Sequence, residues 1–105
     1  MIVERSAVTV KPGHGRDEVA DLVLSEIVAQ KERGNYSRPF RLYIPKFSGQ
    51  PGNVLVLEWE FEDLAEHAEM WAEWWALPTT PAYLAKWAEL VEPGAVSEIW
   101  NVMTP

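Results

Sequence analysis

The chain has no cysteine, two histidines, and nine Lys and Arg against sixteen Asp and Glu. It has no apolar run near the ~18 residues that a membrane span needs. Without cysteine there are no disulfides, thiol nucleophiles or thiolate metal sites, and a cytoplasmic location is expected. Without a signal-peptide pattern or a long apolar run, neither secretion nor membrane insertion is expected. The net charge of −7 leaves no basic stripe for nucleic acid or an anionic membrane surface, so neither is an expected partner. The shortage of bases is uneven: residues 1–52 carry eight against six acids, residues 53–105 one against ten. The acidic half reads as a solvated helix face that keeps the protein soluble. Also missing are a glycine-rich phosphate loop, metal-ligand spacing and a Ser-His-Asp arrangement, so neither cofactor nor metal is expected.

What the chain does have is tryptophan, six in 105 residues. Burying one removes about 200 Å² from water, worth up to ~5 kcal/mol before conformational entropy opposes it. Cover for these rings must therefore organise the fold. The central stretch is Asn53 to Trp87. Val54 to Phe61 alternates Leu55, Leu57, Trp59 and Phe61 with Val54, Val56, Glu58 and Glu60, the period of a strand with large apolar groups on both faces. From Glu62 the period becomes helical. Leu64, Ala68, Trp71 and Trp75 form a stripe opposite Glu62, Glu66, Glu69 and Glu73, and His67, Met70 and Trp74 widen the apolar arc to roughly 160°. That arc needs a second surface to cover its flank.

The remaining elements follow from local chemistry. Ile2 to Val10 alternates as a strand and ends at Lys11-Pro12-Gly13. A helix is expected from about Gly15 to Arg33, with Asp17 and Glu18 in its first turn, Lys31 and Arg33 in its last, and Gly34 as a left-handed cap. Its buried side is Val19, Ala20, Leu22, Val23 and Ile27, and Glu26 intrudes on it. Arg38 to Phe47 reads as an edge strand, because Pro39 and Pro45 cannot donate to a ladder on both sides. Ser48 to Asn53 suits a hairpin turn. After Leu77-Pro78, Thr80 is placed to cap a helix with Pro81 at its first position and Leu84, Trp87 and Val91 inside. Ala95 to Met103 supplies a last strand.

The order is strand, helix, strand, strand, helix pair, strand: a single α+β domain over 1–105 on the ferredoxin-like βαββ(αα)β plan, with a four-stranded antiparallel sheet and helices on one face. Right-handed crossovers put the first strand beside the third. Since the strands are apolar on both faces and helices cover one, a homodimer through the sheet faces is the expected assembly.

Val8-Thr9-Val10-Lys11-Pro12-Gly13 at the end of the first strand, Leu57-Glu58-Trp59-Glu60 leading straight into a helix, the Thr80-Pro81-Ala82-Tyr83-Leu84 restart and the ending Glu98-Ile99-Trp100-Asn101-Val102 together resemble the dimeric α+β barrel proteins, in particular their antibiotic biosynthesis monooxygenase-like members. The resemblance covers nearly the whole chain and rests on fold motifs. It implies a barrel of two sheets with a pocket in each subunit, in a group that includes cofactor-free oxygenases on polycyclic phenols, haem-degrading enzymes, isomerases and proteins without known activity. The haem-degrading branch carries a histidine in the helix after the restart, where this chain has Tyr83-Leu84-Ala85-Lys86-Trp87.

Candidates for chemistry are few. His14 lies in a glycine turn and reads as solvated. His67 lies on the flank of the tryptophan helix and is the first catalytic candidate, facing a pocket between sheet and helix. Glu26, a carboxylate on a buried stripe, is the second. Glu4, Arg5, Glu58 and Glu98 read as cross-strand ion pairs. Trp59, Trp71, Trp74, Tyr83 and Trp87 are the expected ligand-pocket walls, suited to a small aromatic ligand. Two classes of function stay open: a cofactor-independent, monooxygenase-like enzyme on an aromatic or polyketide-like substrate, and a non-catalytic homodimeric module that binds a small molecule or only itself.

Overall fold

A computed structural model describes residues 1–46 and 53–105. Among these the elements run β1 (Ile2–Thr9), α1 (Arg16–Glu32), β2 (Phe40–Tyr43), β3 (Val54–Phe61), α2 (Leu64–Trp75), α3 (Thr80–Leu90) and β4 (Val96–Asn101). The strands pair antiparallel in the order β2-β3-β1-β4, with the first and third at the centre. This is the ferredoxin-like α+β arrangement expected from the element order. Most of the expected hairpin turn, with Phe47 before it, lies outside the described residues.

The prolines trim the second strand as well as placing it at the edge. β2 keeps only Phe40–Tyr43, bounded by Pro39 and Pro45. Pro39 has no N–H to give, but its carbonyl still accepts from the Glu60 amide at 3.1 Å. At the end of α1, Gly34 takes a φ of +76°. Its amide donates to the Lys31 carbonyl at 3.0 Å and that of Asn35 to Gln30 at 2.9 Å, the paired bonds of a glycine-terminated helix. Asp63 caps α2 by accepting from the Glu66 amide at 2.9 Å. Thr80 does something other than cap its own helix. Thr79 occupies the cap position, while the buried Thr80 hydroxyl donates to the Trp74 carbonyl and ties the start of α3 to the end of α2.

Register decides which face of the sheet holds the core. Ile2, Glu4, Ser6 and Val8 of β1 pair with Phe61, Trp59, Leu57 and Leu55 of β3. Leu55, Leu57 and Phe61, with Val8 and Val10, join Val19 and Val23 of α1 and Met70 of α2 in one buried cluster. Val10 also bridges Val91, just past α3, which closes that end of the core.

The stripe expected on α2 is displaced. Leu64 and Trp75 stand 61% and 60% exposed, whereas Met70 is buried and His67, Trp71 and Trp74 are partly so. Positions 67, 70, 71 and 74 follow the i, i+3, i+4, i+7 spacing of an inward face, so what seemed the flank is the centre. The same face carries Met70 into the core and brings His67, Trp71 and Trp74 to carboxylates described below.

Candidate functional site

Between the sheet and the helices lies a cavity of about 550 Å³. That volume is within the range of small-molecule sites. Trp59, Trp71, Trp74, Tyr83 and Trp87 all line it, together with Val23, Ile27, Leu57, Met70 and Leu84. The rings meet edge to face: 5.3 Å between the Trp59 and Trp71 centroids, 5.7 Å between Trp71 and Trp74, and 5.4 Å between Trp74 and Tyr83. Tyr83 and Trp87 lie nearly parallel at 6.2 Å. Edge-to-face contact is the favourable geometry for ring quadrupoles, and it stands adjoining rings as walls instead of stacking them shut.

Each inward indole N–H of α2 goes to a carboxylate. Trp71 Nε1 donates to Glu4 Oε1 at 2.9 Å, and Trp74 Nε1 points to Glu26 Oε1 at 3.4 Å. His67 Nε2 contacts the same Glu4 oxygen. Glu26 also accepts from Gln30 Nε2 at 2.6 Å, and Gln30 Oε1 accepts from Asn35 Nδ2 at 3.0 Å. Across the sheet, the Ser6 and Ser97 hydroxyls are 2.6 Å apart. Burial pushes the Tyr83 phenol well above the ordinary tyrosine range, and the charge of Glu26 adds to this. Tyr83 is thus a neutral hydroxyl at the cavity wall.

His67 itself is not in the lining. It stands behind Glu4, edge-on to the Phe61 ring at 5.0 Å, with its side chain 20% exposed. The carboxylate it holds is what faces the cavity. Glu26 does line the cavity. His14, by contrast, is exposed and paired with Glu18 at 2.7 Å on the first turn of α1. Among the described residues no group of three or more His, Asp or Glu is placed to hold a metal ion.

Glu4 is the residue that reading the sequence as a set of ion pairs conceals. Its neighbour Arg5 points to the opposite face, where Arg5 Nε meets Glu58 Oε2 at 3.0 Å and Arg41 Nη1 meets Glu58 Oε1 at 3.0 Å. Glu98 faces Arg5 in the β1·β4 register. Of the four residues read as one group, three share the open face and Glu4 is apart. The signal was in the alternation: Glu4 and Ser6 fall between Ile2 and Val8 on a stripe that is otherwise core, so a polar pair there must serve or fill a cavity.

Solved structures share this arrangement over nearly its full length. A NIPSNAP-like domain protein from Burkholderia xenovorans superposes with a TM-score of 0.77 at 24% identity, over 98% of this chain and 85% of its own. A NIPSNAP family protein of unknown function from Agrobacterium tumefaciens gives 0.74 at 23%, over 95% and 86%. An antibiotic biosynthesis monooxygenase-like protein from Deinococcus radiodurans gives 0.64 at 12%, over 100% and 95%. What they share with this chain is the fold, a four-stranded antiparallel sheet with helices in the ferredoxin-like α+β arrangement. No protein-family model and no curated protein matches the chain. Among the described residues no helix is long and apolar enough to cross a membrane.

Proposed function

We propose that this protein is a homodimeric small-molecule-binding protein whose ligand is a flat aromatic or polyketide-like molecule held between the sheet and α2 and α3. The observation that carries this reading is the cavity of about 550 Å³ lined by six aromatic side chains, the five expected ones and Tyr36, together with carboxylates and hydroxyls. A hydroxyanthraquinone is a suitable probe, since its absorption overlaps tryptophan emission and bound ligand quenches it. Replacing Trp59 by Ala should weaken its binding roughly tenfold through lost ring contact. Replacing Trp100, on the opposite face of the sheet, should not. Equal effects of the two substitutions would move the ligand out of the cavity. The homodimer is supported by the open sheet face, where Val96 and Trp100 are 60% and 52% exposed.

A second reading, monooxygenase-like catalysis without a cofactor, is favoured by the contact of His67 and Trp71 on one oxygen of Glu4. Glu4 would take the proton of a bound phenol, and His67, as its positioning partner, would stabilise the change in charge. Oxygen uptake with the corresponding hydroxyanthrone, whose ring CH2 becomes C=O as one oxygen atom of O2 enters the product and the other leaves as water, should disappear in Glu4→Gln if the protein is catalytic. No uptake by the unaltered protein would leave binding alone.

A further inference from the structure

We propose that the cavity selects aromatic ligands that carry a positive charge, an organic ammonium or a protonated or alkylated ring nitrogen, over neutral and anionic aromatics of the same shape. This rests on the binding role proposed above and specifies its ligand. Two independent features of the cavity lead to it. The first is wall geometry. Trp71 and Trp74 meet at an interplanar angle of 85° and Trp74 and Tyr83 at 87°, so successive walls stand at right angles as in a box. The negative faces of electron-rich rings on several sides of one space attract a cation, the arrangement by which aromatic cages hold ammonium groups.

The second feature is the charge of the lining, which contains Glu4, Glu26 and Glu73 and, among the described residues, no Lys or Arg. Counting His67 as a full positive charge beside Glu4 still leaves Glu26 and Glu73 uncompensated. Bases that come near these walls are engaged outside the cavity: Arg38 pairs with Glu66, and Lys31 stands over the Tyr36 ring at 6.0 Å without entering the lining. Glu4 and Glu26 each use Oε1 for every contact they make with described residues, so each has Oε2 left to accept from a ligand. An anionic ligand would meet three carboxylates, of which Glu4 and Glu26 are largely buried, so that their repulsion is screened less than in bulk solvent. A neutral aromatic gains only ring contact. A cationic one gains ring contact, cation–π attraction and a carboxylate partner.

Three probes of nearly one shape test this by calorimetry on the unaltered protein: quinoline, N-methylquinolinium and quinoline-2-carboxylate at pH 8, where the first is neutral and the second permanently charged. N-Methylquinolinium should bind at least roughly tenfold more tightly than quinoline, a difference of about 1.4 kcal/mol, and the carboxylate more weakly than both. Glu26→Gln should shrink the ratio of quinolinium to quinoline affinity severalfold. Glu73→Gln, at an exposed position, should lower the same ratio without risk to the fold. Quinoline bound as tightly as quinolinium overturns the charge preference and leaves the aromatic pocket standing. If none of the three binds, the pocket reading fails and the preference with it.

Discussion

On the helix face of the sheet, Glu4 sits 8% exposed between Ile2 and Val8 and is held by His67 and Trp71. One residue on, Arg5 stands on the open face with its side chain 45% exposed, in a row that runs Arg41, Glu58, Arg5, Glu98 across all four strands. Both faces bear charges, but they manage them differently. The open face cancels its charges against each other: Glu58 accepts from two arginines and from the Tyr43 hydroxyl at 3.1 Å. The helix face gathers its indole, imidazole and amide contacts on one oxygen of each carboxylate, and both residues line the cavity. Closed pairing suits a surface that meets another surface, and partial pairing suits a space that a small molecule enters.

The faces should therefore respond differently to damage. Leu55 is fully buried on the helix face, opposite Val8. Leu55→Ala should cost roughly 2–5 kcal/mol of unfolding free energy by chemical denaturation, the range for large-to-small core substitutions. A loss well below 1 kcal/mol would mean that the cavity lets the core collapse into the gap. Val56, its neighbour, faces the other way, between Ala7 and Tyr43. Val56→Asp should leave the subunit folded but separate the proposed dimer, since a desolvated unpaired charge costs several kcal/mol. Sedimentation should then show a 12.0 kDa species. A variant that stayed dimeric and equally stable would put Val56 outside the contact.

Alkali should act through the helix side. Burial raises the phenols of both Tyr36 and Tyr83 above the ordinary tyrosine value. For Tyr36 the nearby Arg38 opposes this and Glu60 reinforces it. The folded state thus keeps protons that the unfolded chain releases near pH ~10, so this stability is complete below that pH and falls as pH rises beyond it. Denaturation midpoints between pH 9 and 11 should decline while tyrosinate absorbance appears only as the fold opens. A flat midpoint together with free ionisation would show the phenols to be solvated.

Strand order, edge placement of β2 and the cap at Gly34 were legible in the sequence because each follows from local rules: period, proline and a left-handed glycine. The rotation of α2 was not. A helical wheel gives angles between residues but no absolute direction, and the direction here goes with long-range contacts, among them Trp71 to Glu4 across 67 positions of chain and the burial of Met70 in the core. The same separation hides Glu4, whose partners all lie on α2. Thr80 lies at the expected helix start, but its hydroxyl donates to the Trp74 carbonyl where a cap would accept from an amide, because the short turn between α2 and α3 brings that carbonyl within reach. Aromatic residues could be chosen as pocket walls from sequence because they cluster on two helices and one strand. Whether they filled the space or bordered it depended on their mutual angles, which sequence does not contain.

The smallest effect separates the faces most sharply. Arg41 is half exposed at the edge strand and contacts Glu58 at 3.0 Å and Glu60 at 2.6 Å. Removing it by Arg41→Ala leaves Glu58 with Arg5 and the Tyr43 hydroxyl, while Glu60 gives up its described partner in a contact that is open to solvent. Exposed pairs add little to folding in water, and salt screens what they add. The denaturation midpoint of the isolated subunit should therefore not move measurably at physiological salt, and the affinity for N-methylquinolinium should not change, because the row lies on the far side of the sheet from the cavity. What should respond is association, whose salt dependence should weaken when one charge of the row is gone. If Arg41→Ala instead lowers ligand affinity and leaves association untouched, the two faces are coupled and their division of labour is wrong.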